Sequence, residues 1–324
     1  MDRLDVSAFG EILWDCFDEE PTEHGFGDRF VRRLGGAPAN VAVTLARLGL
    51  RSTVVGGVGD DAFGRDLQAF LASAGVDARG VLTLPQRTGI VFVSRSAKGQ
   101  PSFLFYRHET ADMSLGSHHV KPSHADADFV VVGTSTFVER KLRAASRRFV
   151  RMALEKKAAL VVDLNVRAHL WKSREDLARV ADELARKAAI VKASDDDVVR
   201  IPVQEPERWI RARCKGSVLL RTHGEGGATA IGPFGEVKAS APEVRCMDAT
   251  GAGDAFLSGV LATLVRLGAK PGEAAFDDAN TWRHALALGC RLGARATTAE
   301  GSVTALADLR EEVELLAALG HRST

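Results

Sequence analysis

The residues Met247-Asp248-Ala249-Thr250-Gly251-Ala252-Gly253-Asp254-Ala255-Phe256 hold the most chemistry in this chain. Small residues occupy what reads as the first turn of a helix from Ala252 to Leu267, in which Phe256, Val260 and Leu264 share a face. Amides at a helix N-terminus lack partners inside the helix and favour anions, and glycines let a phosphate come close to the backbone. Asp254 stands in that same turn, where a carboxylate repels phosphate unless it faces a different group. A hydroxyl about to attack phosphorus is such a group. Asp254 then accepts the hydroxyl proton while the amides of Gly251, Ala252 and Gly253 hold the developing charge. An unperturbed aspartate, with a pKa of about 3.9, is ionised at neutral pH and able to do this. The plainer alternative is a Gly-rich turn whose Asp serves only the helix dipole.

Two further segments could contribute. In Gly35-Gly36-Ala37-Pro38-Ala39-Asn40-Val41-Ala42, the glycine pair allows close backbone approach, and Asn40 offers both a donor and an acceptor to hydroxyls. Read blandly, this is a helix-start turn with a capping Asn. Asp163-Leu164-Asn165-Val166-Arg167, with Leu170-Trp171, follows a strand, and open α/β sheets bind ligands at the C-terminal ends of their strands. Arg167 brings a fixed charge and forked donors. A surface loop with a packing Trp is the competing reading.

The elements that must position these groups alternate in type. Strands are expected at Val6 to Ile12, Ser52 to Val58, Phe129 to Val132, Leu160 to Leu164, Ile190 to Lys192, Val218 to Arg221 and Ala228 to Ile231. Helices are expected at Pro38 to Leu48, Ala62 to Ala74, Glu139 to Lys157, Arg174 to Lys187, Ala252 to Leu267, Asp278 to Gly293 and Leu306 to Leu319. Such alternation implies a mostly parallel sheet covered on both faces. Ile90 to Ser94 and Ser102 to Tyr106 read as a strand pair joined by a turn at Ala97 to Pro101. The stretches 12–34 and 88–108 have strand character without helices and suggest a small accessory sheet inserted into a single domain spanning 1–324.

Bulk properties narrow the class. With 324 residues, 45% hydrophobic and 26% charged, the chain has ordinary globular composition. Its net charge of +1 provides no field for nucleic acid or an anionic membrane, and its four Trp residues are scattered rather than forming a stacking platform. The basic runs Arg147-Arg148-Arg151 and Arg211-Arg213-Lys215 read as solvated helix faces. Cys16, Cys214, Cys246 and Cys290 form no CxxC motif, and no run reads as a signal peptide or a membrane span, so the expectation is the cytoplasm. Gly57-Val58-Gly59-Asp60-Asp61-Ala62, with Asp77 downstream, fits a loose dinucleotide pattern, but Asp60 and Asp61 would face a pyrophosphate. No GxxxxGK[ST] loop or HRD-like catalytic loop is present. His118-His119 with His124 reads as a solvated turn.

The string around Asp254 and the Gly35 to Ala42 segment, more than 200 residues apart, together resemble the ribokinase-like (pfkB) carbohydrate kinases, closest in motif form to fructokinases. Gly56 to Gly64, Arg87-Thr88-Gly89 and Thr222-His223-Gly224-Glu225-Gly226-Gly227 also look like family segments, so the resemblance covers nearly the whole chain. It implies a Rossmann-like, doubly wound core with a small β lid, ATP and Mg2+ as cofactors, K+ as a candidate, and a homodimer through the lid. By resemblance, Asp254 is the catalytic base, with Gly251, Ala252 and Gly253 as its anion hole. Asp15, Gly35, Gly36, Asn40, Arg107 and Arg167 contact the sugar, Tyr106-Arg107 with Ala111-Asp112-Met113 forming its lid side, and Arg167 with Asn165 also approaches the phosphates. Asn165, Ser194, Thr222, Gly224, Gly227 and Cys290 lie on the nucleotide side. Ser194-Asp195-Asp196-Asp197 matches a stretch that orders Mg-bound water, with Asp197 one methylene shorter than the usual Glu. Asp248 and Thr250, with Ser302, match a monovalent-cation loop. Gly289-Cys290 in place of Ala-Asn, and Glu300 in place of a basic residue, depart from the pattern on the nucleotide and cation side. The expectation is transfer of the ATP γ-phosphate to fructose. A 2-keto-3-deoxygluconate kinase is the alternative enzyme, with Arg107 and Arg167 pairing a sugar-acid carboxylate, and a catalytically retired sugar sensor is the alternative of another class.

Overall fold

The computed structural model describes residues 3–20, 26–95, 101–213 and 217–320. The turn expected from Ala97 lies outside them as far as Gln100, as do Cys214 and Lys215. β1 (Leu4–Phe9) opens a large sheet, and the chain leaves it at once for β2 (Leu13–Asp18) and β3 (Phe30–Gly35). It returns through α1 (Ala37–Arg47), β4 (Ser52–Gly59), α2 (Ala62–Ser73) and β5 (Val81–Leu84). A second excursion makes β6 (Gly89–Arg95) and β7 (Pro101–Tyr106). Then follow β8 (Ala127–Gly133), α3 (Arg140–Glu155), β9 (Ala159–Asp163), α4 (Arg174–Ala185), β10 (Ile190–Ser194), α5 (Asp195–Arg200) and α6 (Pro206–Arg213). β11 (Val218–Thr222), β12 (Ala228–Gly232), β13 (Gly235–Ala239), α7 (Ala252–Arg266), α8 (Ala279–Ala296) and α9 (Arg310–Ala318) complete the chain.

The large sheet runs β13-β12-β11-β10-β9-β8-β1-β4-β5, parallel throughout except for the β11–β12 and β12–β13 pairs. Alternate side chains feed two cores. Val6, Phe129, Val131 and Val161 pack with α1, α7 and α8, while Phe9, Val130, Val132 and Val162 pack with α3 and α4. This is the doubly wound α/β arrangement that strand–helix alternation implies. Strand order reverses between β1 and β8, and ligands bind open α/β sheets at such a point, beyond the strand C-termini. The two excursions assemble a separate sheet of order β3-β2-β6-β7, with β2 and β6 parallel and the outer pairs antiparallel.

Three local differences from the sequence reading have clear causes. The strand expected at Val6 to Ile12 stops at Phe9, and Leu13 already belongs to the small sheet. The last helix begins at Arg310 rather than Leu306, because the amides of Thr304, Leu306 and Ala307 close short turns and the Asp308 carboxylate accepts the Arg310 amide at 3.1 Å. In the dinucleotide-like string, Asp61 caps α2 by accepting the Gly64 amide and also takes the Thr88 amide and hydroxyl, while the Gly59 amide donates to Thr88 Oγ1. Those groups tie β4 and α2 to the start of β6.

Candidate active site

α7 begins immediately after Gly251, which sits at φ +78, in the left-handed region that L side chains avoid. A Cβ there would stand 2.4 Å from the Ser302 Cβ, so this turn and the Gly301-Ser302 loop demand a glycine. The Ala252 amide bonds back to the Ala249 carbonyl at 3.3 Å, and Asp254 follows within the first helical turn. Its carboxylate is 8% exposed and accepts a 2.8 Å hydrogen bond from Asn40 Nδ2. The two sequence signatures, 214 positions apart, therefore meet in one contact. Burial lifts the Asp254 pKa from 3.8 to about 7, against the pull of the Asn40 bond. Asp163 pushes it further up, and Lys192 and Arg167 draw it down. Asn40 Oδ1 is buried with no protein partner, which leaves an acceptor for a hydroxyl.

The glycine pair before α1 is hemmed in by the Asp15 carboxylate and the Glu11 backbone. A Cβ on Gly35 would lie 2.5 Å from Asp15 Cγ, and one on Gly36, at φ +103, would lie 2.3 Å from the Glu11 carbonyl oxygen. Asp15, on β2, rises to about 7 through burial, with Arg107 opposing and Asp248, Glu11 and Asp254 adding to the rise. Arg107, at the end of β7, makes 2.9 and 2.6 Å bonds to Asp112 Oδ2, and Asp112 also accepts from Thr110 Oγ1 at 2.6 Å. Burial alone would lower the Arg107 pKa, but Asp112 and Glu11 hold it above its usual value. Asp15, Gly35, Gly36, Asn40 and Arg107 thus converge beside Asp254. Glu11 belongs to the same group and was not singled out from sequence.

Beyond β9, β10 and β11 lie the residues expected near the nucleotide. Asn165 takes a positive φ of 34, a conformation Asn tolerates better than most residues, while Arg167 is exposed and acts electrostatically on Asp254. Ser194 and Asp197 form a capping box at the start of α5, and Asp197 also accepts the Val166 amide at 2.6 Å. Its oxygens are engaged by the Val166 amide and by the Ser194 amide and hydroxyl. Thr222 and Gly224 flank His223, whose Nδ1 stands 3.0 Å from Asp195 Oδ1 and whose Nε2 stands 3.0 Å from Thr229 Oγ1. Gly227 abuts the Ala239 carbonyl, 2.1 Å from where a Cβ would be. Cys290 is 5% exposed with Sγ 3.7 Å from the Ala239 oxygen, packed into the core rather than lining an open surface. Sequence reasoning assigned nothing to Lys192, which ends in a buried pair with Asp163. A lysine inside the apolar strand Ile-Val-Lys-Ala was the available signal, since a buried charge needs a partner.

Asp248 takes the Thr250 hydroxyl at 2.7 Å and the Gly301 amide at 3.0 Å, which draws the 248–251 and 301–302 loops together. Ser302 Oγ, beside Gly251, is buried without a hydrogen-bond partner. These hard oxygen donors fit a monovalent cation. Among the described residues, no group of three or more His, Cys, Asp and Glu could hold a metal ion. A magnesium ion held mainly by phosphate oxygens and water does not require one.

The pieces define a class: a buried carboxylate in the first turn of a helix, over the ends of β9 and β10 in a doubly wound sheet, with polar groups of a second sheet beside it. That layout suits phosphoryl transfer to a hydroxyl. The pfkB family carbohydrate kinase profile matches residues 3–309, and the chain belongs to that family. It is 31% identical to a probable fructokinase-4 of Arabidopsis thaliana, with 96% of each chain covered. Its fold is similar to that of a fructokinase from Xylella fastidiosa with bound ATP, at a TM-score of 0.84 and 28% identity over 97% of this chain and 98% of the other. It is also similar to an aminoimidazole riboside kinase from Salmonella enterica complexed with aminoimidazole riboside and an ATP analogue, at a TM-score of 0.81 and 26% identity over 96% and 99%. No helix among the described residues is long and apolar enough to cross a membrane.

Proposed function

We propose that this carbohydrate kinase transfers the γ-phosphate of ATP to a hydroxyl of fructose, with Asp254 as the general base. The observation that carries this is the 2.8 Å bond from Asn40 to Asp254 in the first turn of α7, with the sugar-side groups gathered around it. Asp254 takes the proton of the attacking hydroxyl, whose oxygen bonds to the γ-phosphorus as the bond to the β-phosphate oxygen breaks and ADP leaves. Asp15, Gly36, Asn40 and Arg107 orient the sugar. Asn165, Arg167, Ser194, Thr222, Gly224 and Gly227 lie on the nucleotide side. Magnesium, when bound, offsets phosphate charge, and in this reading Asp197 braces the Val166 and Ser194 backbone toward it. Asp248, Thr250 and Ser302 are the candidate donors for K+.

Fructose is favoured over a sugar acid because Arg107 is already neutralised by Asp112, and Glu11 and Asp15 add negative charge beside it. A carboxylated substrate would enter an acidic pocket with one counter-charge fewer than the sequence suggests. The curated fructokinase relative supports the same choice. The small sheet, in this reading, is both lid and dimer contact: Phe26, Phe30 and Tyr106 are exposed and cluster around Phe92. Sedimentation of the protein as a monomer would remove the dimer. The substrate assignment is tested by an ADP-release panel of fructose, 2-keto-3-deoxygluconate and ribosides. A dominant preference for the keto acid or a riboside sinks it, and sugar binding without turnover favours a sensor.

A further inference from the structure

Lys192 and Asp163 form a nearly solvent-free ion pair at the floor of the site. Lys192 Nζ lies 3.0 Å from both Asp163 oxygens, with Lys192 4% and Asp163 5% exposed. The amine reaches up beneath the first turn of α7: a Cβ placed on Gly253 would sit 3.0 Å from Nζ. Neighbouring strands β9 and β10 bring the two residues into register, Lys192 opposite Asp163. A buried ion pair stabilises little compared with an apolar pair of the same volume, so its presence here calls for another reason.

The charges around Asp254 supply that reason. Asp163 at the end of β9 and Asp15 on β2, both themselves pushed up by burial, favour the protonated form of Asp254; Lys192 on β10 and Arg167 in the loop after β9 favour its anion; Asn40 on α1 is the neutral donor. Lys192 in turn is faced by Asp163, by Asp197 of α5 and by Asp254. Burial by itself would lower the Lys192 pKa, but these carboxylates raise it, so the ammonium stays charged. Without that ammonium, Asp163 and Asp254 face each other in a low-dielectric floor, and one of them takes up a proton.

Resting on the reading of Asp254 as base, we propose that Lys192 is the positioning residue behind it: clamped by Asp163 under the first turn of α7, its fixed charge keeps Asp254 in the anionic form that accepts a proton. Asp163 acts in the opposite sense, so the pair poises the base near the working pH, where general-base catalysis is most effective. Gly253 is the residue that leaves room for the amine.

The test is a pair of single variants with opposite expected signs. Lys192→Met moves the acid limb of kcat up by about one pH unit and lowers turnover at pH 7 about fivefold, with recovery at higher pH. Asp163→Asn moves the limb down by a comparable amount. The 13C carboxyl titration of Asp254, assigned by its loss in Asp254→Asn, reads the same two shifts without turnover. A pair that is merely structural lowers activity at every pH and leaves both readouts in place, which overturns the inference. If Lys192→Met does not fold, Asp163→Asn decides alone, and an Asp254 titration that fails to move down contradicts the proposal. An active wild type with unmoved titrations removes this inference and leaves the kinase reading intact; a wild type with no sugar turnover removes that reading, while the carboxyl titration still decides this one.

Discussion

Acidification acts on Asp254 directly, and its effect can be worked out from the site. Burial, with Asp163 adding and Asn40, Lys192 and Arg167 opposing, sets the carboxyl at about 7 rather than 3.8. At pH 7 about half of the molecules then hold an ionised base, and at pH 6 about a tenth, so turnover falls about fivefold over the first unit below neutrality and approaches tenfold for each unit after that. Asp15 also titrates near 7, and its protonation costs the sugar an acceptor. In the free enzyme both groups must be ionised, so kcat/KM for the sugar should drop more steeply than kcat, with a logarithmic slope approaching about two against about one. The assay is steady-state ADP release at constant ionic strength from about pH 5.5 to 8.5, with ATP saturating and sugar varied. A kcat that stays flat down to the acid end is the profile of an ordinary aspartate, and it would refute both the buried placement of Asp254 and its role in the rate-limiting step.

Further outcomes follow from the same geometry. Because folding raises the Asp254 pKa, the neutral carboxyl suits the folded state: its contribution is fully present below about pH 4 and is lost as pH rises through 7, a change of about 4 kcal/mol. Asp254→Asn should therefore raise the apo melting temperature at pH 8 and change it little at pH 4, as read by calorimetry. Gly251→Ala forces a side chain to a φ of +78 and into Ser302, so it should cost about 1–3 kcal/mol of stability and most of the turnover. Asp112→Asn releases Arg107 from its charged partner, and the sugar KM should rise about tenfold or more with a smaller change in kcat. Glu312→Gln, which uncouples α9 from Arg291 and Arg295, should lower thermal stability while leaving both kinetic constants unchanged, a control for effects remote from the site.

Much of the fold was legible because periodicity and helix stops are local signals. The helices α1, α2, α3, α4 and α7 fall within two residues of expectation at each end, Pro38 and Gly49 bracketing α1. Of the small sheet the β6–β7 pair could be read locally, but the rest was visible only as strand character without helices, since pairing across segments as distant as Cys16 and Phe92 leaves no local mark. The site divides similarly. Gly251 to Asp254 could be argued from chemistry, because a carboxylate in an anion-binding turn needs an explanation. Glu11 could not, and Lys192 left only the sign of a charge inside an apolar strand, since the partners through which each matters are brought together by the folded sheet. Asp197 shows the converse. Resemblance alone suggested its place near magnesium, and only the fold reveals the capping box and the Val166 amide that its carboxylate holds.

The central claim is that Asp254 accepts the proton of the attacking hydroxyl. The most direct measurement compares turnover and substrate binding in Asp254→Asn, an isosteric change that removes the base. The account predicts that ATP and fructose still bind with affinities near those of the wild type, while kcat falls by about two orders of magnitude or more at the pH optimum. Turnover close to that of the wild type, with binding intact, would contradict it.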